Sequence, residues 1–86
     1  MQTFQYSIKE PLGIHARPAG LVVKVASAYQ SSIEMKTADG RTANLKKLFS
    51  VMALGVKCGD QITISIDGSD EGTAAAALKK FFLENL

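Results

Sequence analysis

The sequence predicts a two-layer α+β domain in which one mainly antiparallel sheet is covered on one face by helices. Three observations carry that expectation. Strand-period and helix-period segments follow in the order strand, helix, strand, strand, helix, strand, helix. The connections are short, with turn residues at Pro11, Gly13, Asp39-Gly40, Gly55, Gly59-Asp60 and Gly68. A chain of 86 residues also suffices for a single modest core that buries about two-thirds of the unfolded surface, so residues 1–86 are expected to form one domain.

Phe4, Tyr6 and Ile8 alternate with Gln5, Ser7 and Lys9, the period of a strand with one buried face, until Pro11 and Gly13 break it. From Ala16 to about Tyr29 the apolar positions Ala19, Val22, Val23, Ala26 and Tyr29 recur at helical spacing. Pro18 is compatible with that helix because it falls in the first turn, where its missing N–H has no partner to lose; His15 is thereby placed at the N-cap. Ile33, Met35 and Thr37 alternate with Glu34 and Lys36, and Asp39-Gly40 then predicts a hairpin that returns through Arg41 to Ala43. Leu45, Leu48, Phe49 and Met52 give a two-turn helix from about Lys46 to Leu54, too short to hold without tertiary support. Ile62, Ile64 and Ile66 mark the clearest strand. Ser69 or Asp70 is the expected cap of a last helix with Ala74, Leu78, Phe81 and Phe82 on its inner face.

Composition excludes several functions. Apolar residues make up 47% of the chain and charged residues 21%, which is ordinary for a folded domain. The net charge of +2 is small, and the basic residues are scattered apart from Lys46 and Lys47, so no phosphate-tracking stripe points to nucleic acid. Cys58 is the only cysteine; this excludes an internal disulfide and a zinc site built on paired cysteines, and it points to a reducing, cytoplasmic setting. No signal-like N-terminal segment and no run of about 18 apolar residues is present, so neither secretion nor membrane insertion is expected. Without a histidine cluster or a Walker-type glycine loop, no metal or cofactor is expected either.

The chemistry concentrates at residues 13–20, Gly-Ile-His-Ala-Arg-Pro-Ala-Gly. The amides of Ala16 and Arg17 at a helix start have no intrahelical acceptor, and the helix dipole adds a positive field, so an anion bound there is stabilised. A neutral imidazole at such an end has the lone pair that a nucleophile needs. Arg17 adds a permanently charged fork suited to phosphate oxygens. Gly13 leaves room for close approach of a partner backbone or a phosphoryl group, and Pro18 limits the backbone donors to two. Two amides and one mobile arginine suit a phosphate that must be both accepted and passed on. The same residues also fit a plain reading, in which His15 is an ordinary cap or solvated side chain and Arg17 a surface charge.

Gly13-Ile14-His15-Ala16-Arg17-Pro18-Ala19 resembles the active-site motif of the HPr family, the histidine-containing phosphocarriers of the bacterial phosphoenolpyruvate-dependent sugar phosphotransferase system. Asn44-Leu45-Lys46, Leu48-Phe49 and Val51-Met52-Ala53-Leu54-Gly55 resemble the family's second block, and Ile62-Thr63-Ile64-Ser65 its last strand, so the resemblance runs the full length. It implies an open-faced sandwich with a four-stranded antiparallel sheet in the order 1-4-2-3 and three helices on one face. It also implies that His15 accepts phosphate through Nδ1 from enzyme I and passes it to the IIA domains of sugar permeases, with Arg17 assisting. Such a chain is a carrier with no turnover of its own, and a monomer is expected.

Family members present an apolar patch near the histidine; the matching positions are Gly20, Leu48, Phe49 and Met52, with Lys24 and Lys46 as a basic rim. Core packing is the competing reading for these apolar residues, most of all for Leu48. In many Gram-positive members a serine that follows the lysine of the Asn-Leu-Lys block is phosphorylated by a kinase. Lys47 stands there in this chain, so serine-dependent regulation is expected to be absent. Two other readings stay open: a relay of the same chemistry outside sugar uptake, in nitrogen signalling or with a dihydroxyacetone kinase, and a small α+β binding module without chemistry.

Overall fold

Alternation builds the sheet. In the computed structural model, which describes residues 1–86, Ile33, Met35, Ile62, Ile64 and Ile66 all turn to one buried side, while Glu34, Lys36, Thr63 and Ser65 lie on the other. The strands are β1 (Gln2–Ser7), β2 (Ser32–Thr37), β3 (Thr42–Asn44) and β4 (Gln61–Asp67), and the helices α1 (Ala16–Ser27), α2 (Leu48–Ala53) and α3 (Glu71–Asn85). All neighbouring strands are antiparallel and the order is β1-β4-β2-β3, with Phe4 opposite Ile64 and Met35 opposite the same isoleucine from the other side. β4 is thus internal to the sheet, and its three isoleucines are the least exposed row in it.

The helices cover the buried face. Ala19, Val22 and Ala26 of α1, Val51 of α2, and Ala74, Ala75, Leu78, Phe81 and Phe82 of α3 join the strand side chains in one core of 21 residues. Phe82 sits at its centre, with the rings of Phe4, Tyr6 and Phe81 around it at centroid distances of 6.0, 5.6 and 6.1 Å. No helix is long and apolar enough to cross a membrane.

Several element bounds differ from the sequence expectation, because side chains and turns hold nearby backbone out of the expected element. α1 stops at Ser27 rather than near Tyr29 because the Asp70 carboxylate accepts from the Gln30 and Ser31 amides (2.8 and 3.0 Å) and from the Ser31 hydroxyl, drawing the chain out of the helix. Asp70 does occupy the N-cap position of α3, yet its side chain makes no capping bond because it is spent on Gln30 and Ser31. α2 starts at Leu48 rather than Lys46. The Asn44 side chain accepts from the Lys46 amide (2.9 Å) and the Asn44 carbonyl from the Lys47 amide (3.0 Å), a turn that holds residues 44–47 out of helix. The third strand lies one residue later than Arg41 to Ala43; Gly40, with φ of 92°, makes the expected turn, and Thr37 and Arg41 close it.

Candidate functional site

His15 has extended backbone (φ −108°, ψ −176°) at the N-cap of α1, and its carbonyl accepts the first helical bond from the Ala19 amide at 2.9 Å. Its imidazole makes no capping bond and is only half-buried. The Ala16 and Arg17 amides donate to no other group of the chain, Pro18 has no N–H, and the first turn carries no acidic residue. Two free donors, an imidazole and an exposed guanidinium therefore meet at one helix end with no anion of the helix's own to fill it.

The loop before the helix is held rigidly. Gly13 donates to the Glu10 carbonyl (2.8 Å) and Ile14, buried, to the Val56 carbonyl (3.0 Å). Gly13 has φ of 69°, and a Cβ there would run into the Val56 carbonyl oxygen and within 2.7 Å of the Lys57 Cα. This corrects one reading of the sequence: the room at Gly13 is taken by the chain's own backbone at residues 56–57 and is not left for a partner. A depression of 340 Å³ opens beside the imidazole, lined by Glu10, Leu12, His15, Arg17, Pro18, Leu21 and Asn85. The motif reading missed Glu10, Leu12, Leu21 and Asn85. Leu21 had a signal, since it is a leucine outside the periodic inner set of α1; Asn85 had none, because the end of α3 reaches this loop only through the fold.

Ala16, Gly20 and Lys24 recur at every fourth residue and form one exposed stripe along α1, and a Cβ on Gly20 would meet nothing within 4 Å. α2 packs beside α1. It buries Val51 in the core and leaves Phe49 85%, Met52 39% and Leu48 36% exposed. The two lysines lie apart from the histidine. Lys24 is in the last turn of α1, about 12 Å along the axis from Ala16. Lys46 is half-buried, its Nζ donating to the Tyr29 carbonyl at 2.7 Å, so its ammonium caps the chain leaving α1.

The fold and this helix end define a small open-faced α+β sandwich that presents one histidine at an open N-terminus. The family model described as the PTS HPr component phosphorylation site matches residues 2–84. Phosphocarrier protein HPr of Mycoplasma genitalium is 41% identical over 85 residues, covering 99% of this chain and 97% of that protein; the one from Lysinibacillus sphaericus is 43% identical over 84 residues, 98% and 94% of the two. A mycoplasma histidine-containing phosphocarrier superimposes with a TM-score of 0.92 at 36% identity, over 96% of this chain and 93% of that one. HPr from Thermoanaerobacter tengcongensis gives the same score and identity over 98% and 93%. The chain belongs to the HPr family, the phosphocarriers of the phosphotransferase system.

Proposed function

We propose that His15 is the residue that carries the phosphoryl group. Transfer forms one N–P bond at Nδ1 of His15 as the N–P bond in the donor breaks, and the donor's imidazole is the leaving group. The observation that carries this reading is the bare end of α1, where the Ala16 and Arg17 amides are unpaired, Arg17 lines the same depression as the imidazole, and the first turn has no acidic side chain. The amides and the guanidinium stabilise the oxygens of the transferring group, and the absence of further donors keeps the phosphate transferable.

Enzyme I is the donor in this reading and the IIA domains of sugar permeases are the acceptors, the relay being cytoplasmic. Leu48, Phe49 and Met52 beside the Ala16–Gly20–Lys24 stripe offer both partners one docking face, to which methionine and an unobstructed glycine adapt. Lys46 contributes to that face through the position of α2 rather than as a free charge. Lys47 is exposed at the N-cap of α2 and has no hydroxyl to modify, so an HPr-directed serine kinase leaves the chain unmodified.

Incubation with enzyme I and phosphoenolpyruvate, followed by intact-mass measurement, tests the relay. One acid-labile phosphate is expected on the wild type and none on His15→Ala. A phosphate that persists in that variant, or a wild type that takes up none, sinks the assignment.

A further inference from the structure

We propose that Glu10 tunes the His15 site: from the wall of the depression it shares with Arg17 its carboxylate repels the phosphoryl group, offsets part of the hold of Arg17 and keeps the charged carrier ready to release its phosphate. The proposal rests on the reading of His15 given above.

Glu10 stands in the loop between β1 and α1, half-buried, and lines the same depression as His15 and Arg17. Its main chain is fixed at both ends, the amide donating to the Leu86 carbonyl at 2.9 Å and the carbonyl accepting from the Gly13 amide at 2.8 Å. Its Oε1 accepts from the Leu12 amide at 3.4 Å, which folds the side chain back over the loop that leads to His15. Neither Glu10 nor Arg17 has an ionic partner; the ion pairs of the chain are made by Met1 and Arg41. Leu12, Pro18, Leu21 and Asn85, which complete the lining, carry no charge.

The depression thus holds one carboxylate, one guanidinium and the imidazole. Among the side chains of the lining, these two opposite fixed charges balance when the site is empty. A phosphoryl dianion on His15 meets an attractive Arg17 and a repulsive Glu10, so the carboxylate offsets part of the hold that the helix end and the guanidinium exert. A carrier needs that offset because its phosphate must leave as readily as it arrives. The predicted anion site of α1 therefore has its negative counterpart outside the helix, five residues upstream in the loop.

The test is the equilibrium of phosphoryl exchange with phospho-enzyme I, read by intact mass for the full chain as wild type, Glu10→Gln and Glu10→Asp, each checked for a native circular-dichroism spectrum and melting temperature. Glu10→Gln is expected to shift the equilibrium toward charged carrier by roughly fivefold at low salt, the order of one nearby surface charge acting on a dianion. The gain should shrink at high salt, and Glu10→Asp should stay near wild type. An equilibrium within twofold of wild type in folded Glu10→Gln overturns the proposal. So does a gain that salt leaves unchanged or that Glu10→Asp reproduces, since either marks a structural effect. A wild type that takes up no phosphate overturns the relay and this assignment together, whereas normal uptake with an unshifted Glu10→Gln equilibrium overturns only the role of Glu10.

Discussion

The N-termini of α1 and α3 are built from opposite materials. At α3, Asp70 holds the N-cap position, Glu71 opens the first turn, and the Glu71 carboxylate accepts from the Gly68 amide at 3.3 Å. That end supplies its own negative charge and spends it on the loop at Gln30 and Ser31. At α1 the cap is a histidine, the first turn has no acid, and its charged residue is Arg17. Helix stability alone favours acids in a first turn by about 0.3–1 kcal/mol each, so a helix end without them keeps its positive field uncompensated. One helix start fills its own field with acids; the other leaves its field open.

The two loops that feed these helices can be told apart first. Gly13→Ala puts a Cβ against fixed backbone at residues 56–57 and forces a left-handed conformation on alanine. A loss of about 3 kcal/mol is expected by chemical denaturation, well above that of an exposed substitution such as Gly20→Ala. A loss below about 1 kcal/mol would mean that the loop before His15 yields.

Giving α1 the acid that α3 has should separate stability from uptake. Ala16→Asp is expected to stabilise the protein by about 0.5 kcal/mol while slowing phosphoryl uptake from enzyme I roughly tenfold, because the carboxylate occupies the field meant for the phosphate. Unchanged uptake would remove the bare helix end from the mechanism.

Phe49→Ala probes the face beside that end. Its ring is exposed, so unfolding should move by less than about 0.5 kcal/mol while enzyme I binding weakens by about 1–2 kcal/mol in calorimetry. Leu45→Ala, fully buried, should instead cost about 3 kcal/mol in stability. If the two variants unfold alike, Phe49 belongs to the core.

The smallest effect is expected at the acid-filled end. The Ser31 hydroxyl, followed by the Gln30 amide, holds the Asp70 carboxyl below the ordinary carboxylate range. Its contribution to stability is therefore complete above the ordinary carboxylate pKa and is lost as pH falls toward and through the depressed folded value. Asp70→Asn should flatten that acid limb of the stability profile; an unchanged limb would show that the Asp70 contacts do not outlast solvent exchange.

Local periodicity was enough to read the elements and the inner faces of the strands. The isoleucines of β4 and the Ala19, Val22 and Ala26 stripe of α1 are set by periods of two and 3.6 along one chain segment. The start of α1 at His15 was equally legible, because Pro18 is tolerated only in a first turn. Capping was not: Asp70 reads as a cap from its neighbours and is diverted to Ser31, which lies 39 residues away in sequence. Lys46 reads as a rim charge and is diverted to the Tyr29 carbonyl. A side chain that can reach several backbone groups chooses among them only after the segments have packed.

The sequence by itself determined the order of elements, the core rows, and a histidine beside two unpaired amides and an arginine, since each follows from covalent neighbours and fixed periodicities. Tertiary structure alone decided that residues 56–57 close against Gly13, that Asn85 and Glu10 line one depression with His15, and that Phe49 faces out while Val51 faces in. Those outcomes depend on where distant backbone comes to rest, and that position follows from the shared core of sheet and helices, which no local spacing encodes.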